Sequence, residues 1–337
     1  MPAAITFCAT SKSGLGHLRR LTNIGGALRS RSPSIPLDLL TNAPVAGLTD
    51  AEIGLYRRID VVERQEMADF LLARQGGGPV LVDTAVIPGL DRLPGPLCLV
   101  LRETVASQLN RFHLDGDRPW DLVLLPNPAD DWRPDAAAIP ARRIEAVGWI
   151  WRPPGPVPSA VDDGRSARVG GGLLIATGGG GTGETARYIR GEMEPLIEGL
   201  HDGLGSPPEI IQTVGPRSSA EARIDGVDRY VDVGARLNQA FAQADLVVST
   251  SGYNSILELA CIDVPALLLA FPRSLDDLQA RARRWGDRLG HCHEPTAPAD
   301  SIRWMAEVME HGRRRPPVDL GPPGGEVAAP LIADLLA

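Results

Sequence analysis

The stretch Ala244–Ala282, ADLVVSTSGYNSILELACIDVPALLLAFPRSLDDLQARA, decides how this chain folds. Two short apolar runs, Leu246–Ser249 and Ala266–Phe271, read as strands, and each leads into a segment with helical spacing, Asn254–Cys261 and Leu278–Leu289. Strand and helix alternating at this spacing is the pattern of a parallel sheet covered by helices. The first strand ends in Ser249-Thr250-Ser251-Gly252, so small, hydroxyl-bearing residues meet a helix N-terminus, where free N–H groups and the helix dipole favour an anion. Glu258 follows Gly252 in that helix, from where a carboxylate can accept two hydrogen bonds from a ribose diol; it also fits as an ordinary acid on an amphipathic helix. Asp276, Asp277 and Gln279 open the next helix, the acids as N-caps or all three as partners for sugar hydroxyls.

The same grammar runs back toward the N-terminus. Strands are expected at Leu173–Thr177, Ile210–Val214 and Tyr230–Val233, with helices at Glu184–Leu200 and Leu237–Ala244. Toward the other end, helices are expected at Asp300–Glu310 and, beyond a Pro-rich stretch, at Glu326–Leu336. Residues 151–172, WRPPGPVPSAVDDGRSARVGGG, lose all periodicity and read as a linker, stiff at its Pro-rich start and loose at its Gly-rich end. Before it the pattern restarts: strands at Ile5–Ala9, Leu37–Thr41, Ile59–Val62, Val80–Asp83, Leu97–Leu101, Leu122–Leu125 and Ile144–Trp149, with helical segments at His17–Arg29, Glu66–Arg74 and Val105–Phe112.

Two strand-glycine-helix openings, one per half, imply an α/β chain of two doubly wound, Rossmann-like domains facing a cleft. The expected division is 1–150, a linker over 151–172, a second domain over 173–325, and a terminal helix over 326–337 that packs back on the first domain. A length of 337 residues suits two domains.

Composition narrows the function. The formal net charge is −8, which argues against a nucleic-acid binder, since that would need a basic face for phosphates. Most of the negative charge lies after residue 150, so any tolerance of an anionic surface falls to the first half. The 4 cysteines form no CxxC pair, and no apolar run approaches the ~20 residues that span a bilayer. With no basic, apolar leader before Ile5, the expectation is a cytoplasmic protein, at most peripheral to a membrane.

Two further loops carry chemistry. Ser11–Arg20, SKSGLGHLRR, follows the first strand and opens the first helix. Gly14 and Gly16 allow a tight turn beside an anion, and His17 in the first helical turn is sited as a general base or as a group that orients an acceptor; it also fits as a packing or capping residue. The loop lacks the third glycine of the dinucleotide fingerprint, which disfavours NAD. Gly178, Gly179, Gly180 and Gly181, with Thr182, let another molecule approach the backbone, or form a plain flexible turn. The loop is not a Walker motif, because the chain's single lysine is Lys12.

Weaker signals read as structure. Asp115-Gly116-Asp117 is formally a DxD but reads as a solvated turn, His291-Cys292-His293 as a chance loop without a second metal-ligand pair, and the run ending in Arg315 as a solvated helix end. Asp83, at a strand end, fits an acid near an acceptor or a turn former. Trp120, Trp132, Trp149 and Trp151 suit core and hinge packing better than stacking on a sugar.

On the segments Ser13–Arg20 and Ala244–Ala282, the chain resembles the two-domain GT-B glycosyltransferases of the class containing the lipid II-forming N-acetylglucosaminyltransferase, and a related bacterial group with a GLGHLRR start. The resemblance spans both halves and fades between Thr41 and Gly170. It implies sugar transfer from a UDP-sugar with inversion and without a metal or other cofactor. It further implies that Gly14, Gly16 and His17 face acceptor and donor phosphate, that Gly178–Gly181 form the second domain's phosphate loop, and that Ser251, Gly252, Tyr253 and Asn254 form the diphosphate turn. Glu258 then takes the ribose, Gln279 the donor sugar, and Gly234 reads the base through its backbone. The first loop carries fewer glycines than is usual in the family, and Leu278 stands where a second amide is common.

The expected partners are a UDP-sugar and an acceptor that is a small molecule or a glycolipid, with peripheral membrane contact left open. The lack of a basic amphipathic helix in the first half favours a soluble acceptor. Rival readings are a UDP-sugar hydrolase or 2-epimerase on the same fold and a non-catalytic sugar-nucleotide-binding subunit.

Overall fold

The computed structural model describes residues 4–10, 15–74, 77–153, 171–177, 183–215, 222–234 and 236–336, apart from the Asp117 side chain. The residues expected as Gly14, Gly178 to Gly181 and Thr182 of the two glycine loops, and positions 154–170 of the linker, lie outside them. The chain divides into two compact units, one of residues 1–152, 274–276 and 321–337, the other of 153–273 and 277–320.

Unit 1 runs β1 (Ile5–Ala9), α1 (Gly16–Arg31), β2 (Leu37–Thr41), α2 (Asp50–Ile53), β3 (Arg58–Val61), α3 (Met67–Ala73), β4 (Val80–Asp83), β5 (Leu97–Val100), β6 (Leu122–Leu125) and β7 (Ile144–Ala146). These strands form a parallel sheet in the order β3-β2-β1-β4-β5-β6-β7. Alternation along each strand feeds two cores. Ile5, Phe7 and Ala9 join Leu18, Leu21, Ile24 and Leu28 of α1 on one face, while Cys8, Val80, Val82 and Leu99 enter the core on the other. Burial on both faces is why the inner strands β5 and β6 read as continuous apolar runs, whereas the edge strands β3 and β7 are only partly buried.

Unit 2 runs β8 (Leu173–Ala176), α4 (Gly183–Gly203), β9 (Ile210–Thr213), β10 (Arg229–Val231), α5 (Leu237–Gln243), β11 (Leu246–Thr250), α6 (Tyr253–Ala260), β12 (Ala266–Leu269), α7 (Leu278–Leu289), β13 (Gly290–Cys292) and α8 (Pro298–His311). Its parallel sheet has the order β10-β9-β8-β11-β12-β13. Leu173, Ile175, Leu246, Val248 and Leu267 pack with Met193 and Leu196 of α4 and with Met305 and Val308 of α8.

The last helix, α9 (Gly324–Ala333), belongs to unit 1 and packs along α1. Two glycines seat it: a Cβ on Gly325 would stand 3.1 Å from the Asn23 carbonyl oxygen of α1, and one on Gly324 2.5 Å from that of Gly148 in the turn after β7. Ala328, Ala329 and Ile332 then complete the α1 core.

Several expected elements differ. Of His291-Cys292-His293, read as a loop, the first two residues belong to the edge strand β13, where pairing with β12 outweighs poor strand propensity. Ala106–Phe112 is a 3-10 helix. The expected strand to Trp149 stops at Ala146, and the chain turns at Gly148, whose φ is +77°.

Candidate functional site

In a doubly wound sheet, the strand order reverses at one point, and loops leaving the carboxyl ends there diverge to leave a crevice. In unit 1 the reversal lies between β1 and β4. The β1 exit leads to the glycine loop and to His17 in the first turn of α1; β4 ends in Asp83.

These two meet. Nδ1 of His17 lies 3.0 Å from Oδ1 of Asp83 and 3.1 Å from its backbone oxygen. Both partners are acceptors, so Nδ1 carries the proton and Nε2 is left as the basic nitrogen. The imidazole is about a quarter exposed, whereas Asp83 is fully buried. Arg20, three residues along the same face of α1, holds the carboxylate bidentately from Nε (2.7 Å) and Nη2 (2.9 Å). Burial by itself would raise the Asp83 pKa, but the charges of Arg20 and then His17, with their hydrogen bonds, outweigh it and hold the carboxyl well below its usual range. The result is a permanent buried carboxylate behind a half-open imidazole. Thr84, next in sequence, has φ +42°, a strained backbone for a β-branched residue, and is pinned by N–H and hydroxyl bonds to the Val100 oxygen at 2.7 and 3.0 Å. Asp83 is thus neither an exposed acid nor a mere turn former. It is the partner that orients His17.

Arg19, beside this pair, donates to Glu52 and to the Gly47 oxygen, and Arg152 reaches the same Glu52 at 2.9 Å. Glu52 is also the N3 acid of a capping box with Thr49, so α1 is tied to the α2 turn.

In unit 2 the reversal lies between β8 and β11. Ser249 and Thr250 end β11, and Gly252 is the N-cap of α6, with no side-chain cap bond to its first turn. Asn254 and Glu258 are half-buried one helical turn apart on one side of α6, while Ile256, Leu257, Leu259 and Ala260 face the core. Tyr253 is buried.

The start of α7 is clamped to this turn. Ser251 donates its hydroxyl to the Leu278 oxygen at 2.8 Å, and buried Arg281 donates from Nη1 to the Ser251 oxygen at 3.3 Å. Ser251 is fully buried, so the expected phosphate-facing hydroxyl is instead a strut between two helix starts. Gln279 stands next to that strut. Its Nε2 donates to Oε1 of Glu294 at 3.1 Å, and Arg283 holds the same carboxylate at 2.9 Å.

Asp277 caps α7, accepting from the Ala280 N–H at 2.8 Å. Asp276 is buried against Arg102, which withdraws it from any sugar. Gly234 is exposed at φ +52° in a turn where its N–H donates to Asp232 at 2.9 Å. Arg315, expected to be solvated, is half-buried and caps the Leu259 and Leu289 oxygens.

Sequence reasoning missed Arg20, Arg281 and Glu294. For Arg20 a signal existed: it lies three residues after His17, on the same helix face. Nothing local marks the other two.

Residues 192–283 match the glycosyltransferase family 28 C-terminal domain. Over 142 residues the chain is 30% identical to the UDP-N-acetylglucosamine--N-acetylmuramyl-(pentapeptide) pyrophosphoryl-undecaprenol N-acetylglucosamine transferase of Halorhodospira halophila, covering 40% of this chain and 39% of that protein. The transferase of the same name from Pseudomonas syringae pv. tomato is 36% identical over 128 residues, 35% of this chain and 36% of its own. The chain therefore matches well under half the length of these relatives. Among solved structures, the spinosyn forosaminyltransferase SpnP superposes with a TM-score of 0.58 at 16% identity, covering 99% of this chain and 94% of its own. Among the described residues no helix is long and apolar enough to cross a membrane. The chain has the two-domain GT-B fold, and residues 192–283, all but 274–276 in its second unit, resemble the family 28 C-terminal domain.

Proposed function

We propose that this chain is a cytoplasmic glycosyltransferase that moves a sugar from a UDP-sugar, a UDP-N-acetylhexosamine being the first donor to try, to a hydroxyl of a small-molecule or glycolipid acceptor. The observation that carries this reading is the His17 imidazole with its Nδ1 proton committed to a carboxylate that Arg20 keeps ionised. Such a pair leaves Nε2 able to take a proton from an acceptor hydroxyl, and the imidazolium that forms is stabilised by Asp83. The hydroxyl oxygen attacks the anomeric carbon as the bond from that carbon to the diphosphate oxygen breaks. The configuration inverts, the proton stays on His17, and UDP leaves.

Unit 2 serves the donor. Gly252 and the first turn of α6, with Tyr253 and Asn254, receive the diphosphate, whose charge is met by helix N–H groups rather than by a metal. Glu258 takes the ribose, and the Gly234 turn reads the base. Gln279 meets the sugar, a role supported by the Ser251 strut: the sugar hangs from the diphosphate, and Gln279 follows the residue to which the diphosphate turn is bonded. Asp277 supports that contact by capping α7.

The test is turnover of a panel of UDP-sugars with and without an extract containing acceptors. Transfer that needs the extract and disappears in His17→Ala supports the reading. Rapid release of free sugar or its epimer without acceptor would instead identify a hydrolase or 2-epimerase, and UDP-sugar binding without turnover a non-catalytic subunit.

A further inference from the structure

The exit of β13 holds a carboxylate, that of Glu294. Glu294 follows His293, and His293 is built into the unit 2 core: its Nδ1 meets Ser301 Oγ at 2.9 Å, its Nε2 meets Glu192 Oε2 at 3.0 Å, and its backbone N–H donates to the Leu268 oxygen at 2.9 Å. The backbone carrying Glu294 is therefore anchored to α4, α8 and β12 at once. From it the carboxylate reaches back to α7 and receives Gln279 Nε2 at 3.1 Å and Arg283 Nε at 2.9 Å.

The chemistry of this contact fixes an orientation. An amide has a donating end and an accepting end, and its two ends are otherwise nearly alike in shape. An ionised carboxylate only accepts, so it can pair only with the NH₂ end. Arg283, by hydrogen bond and charge, keeps Glu294 below the usual carboxylate range despite some burial, so the acceptor character persists at neutral pH. With Nε2 turned to Glu294, the carbonyl oxygen of Gln279 is the end left for a ligand.

We propose that Glu294 is a positioning residue that locks the Gln279 amide with its carbonyl toward the donor sugar, so that unit 2 selects sugars presenting a hydroxyl proton donor at that point. This rests on Gln279 being the sugar contact. Glu294 itself does not touch the sugar. Without it only the long contact of Nε2 to Cys292 Sγ, at 3.9 Å, still favours this orientation, so the amide can turn over and an NH₂ group meets the sugar in part of the population. Selection between sugars that differ in one hydroxyl then weakens, while binding of the nucleotide part stays as it was. The Arg283–Glu294 pair is largely exposed and adds little to stability, which suits an orienting role.

Calorimetric titration of the full chain tests this with UDP, UDP-N-acetylglucosamine and its 4-epimer UDP-N-acetylgalactosamine, on wild type, Glu294→Gln, Gln279→Ala and the double variant. The expected result is unchanged affinity for UDP in all four proteins. Glu294→Gln should lower the preference between the two sugars about tenfold. In the Gln279→Ala background the same change should have no further effect, because the amide it orients is gone. If Gln279→Ala lowers the preference but Glu294→Gln does not, or if the two effects simply add, the positioning role is overturned and Gln279 remains the sugar contact. If Gln279→Ala leaves the preference intact, the sugar contact and the positioning role both fall. If wild type does not bind UDP, the nucleotide-sugar reading falls with them. A melting temperature for each variant within a few degrees of wild type shows that the comparison is between folded proteins.

Discussion

Oδ1 of Asp83 accepts from both Nδ1 of His17, at 3.0 Å, and Nη2 of Arg20, at 2.9 Å, so one buried oxygen links the imidazole to a buried guanidinium. That oxygen sets the tautomer of His17 and ties the first two turns of α1 to the end of β4. Removing any of the three groups should therefore have an effect particular to that group.

His17→Ala deletes the proposed base and little else, since the ring is part-exposed. Transfer should fall by about 10²–10⁴-fold in kcat, with UDP affinity unchanged. Asp83→Asn offers Nδ1 an amide that can donate as well as accept, admits the wrong tautomer and should cost about 10²-fold or more. Steady-state rates and calorimetry on the same preparations would check both.

Acid should destabilise the protein through Asp83. Its pKa in the folded chain lies below the unfolded value of about 3.9. The sign is that of any depressed carboxyl: its contribution is complete above the unfolded pKa and is lost as the pH falls from there through the folded one. Urea midpoints should drop steeply below about pH 4 in wild type. Asp83→Asn should lose that part of the slope, and at neutral pH should be less stable by about 3–5 kcal/mol because the buried Arg20 loses the charge of its bidentate carboxylate.

Gly252→Ala separates folding from binding. The backbone there, at φ −65°, suits any residue, and a Cβ would meet Ser255 Oγ at 3.7 Å and Thr250 Oγ1 at 3.8 Å, ordinary contacts. Melting temperature should not change. UDP affinity should fall several-fold if the diphosphate rests against this turn, and calorimetry with UDP decides it.

Glu258→Ala should weaken UDP by about 10-fold or more, the cost of losing two hydrogen bonds to a charge, and 2′-deoxy-UDP by less, because only its 3′-hydroxyl had a bond to lose. Discrimination between the two nucleotides is the quantity to measure. Equal discrimination in wild type and variant would remove Glu258 from the ribose.

How much of this could be read from the sequence follows from the range of the interactions. Runs such as Leu97–Val100 and Leu122–Leu125 announce themselves because a parallel strand buried on both faces is apolar throughout. Gly290–Cys292 does not, since its strand character comes only from its neighbour β12. The Gly252 turn and Glu258 are legible because α6 itself spaces them. The pairing of Arg20 with Asp83 and of Gln279 with Glu294 is not, because sheet topology creates the first and the β13 edge the second. Local spacing suggests Ser251 as a ligand, whereas packing turns its hydroxyl inward to Leu278.

The docking of α9 on α1 bears on how the protein is made. The helix that bears His17 is completed by residues 324–332, and between them in sequence lies all of unit 2. During synthesis α1 must wait, with one face bare, until the second unit has emerged. A truncation after residue 152 would leave that face exposed permanently, and should give a sticky, aggregating fragment rather than a free-standing half.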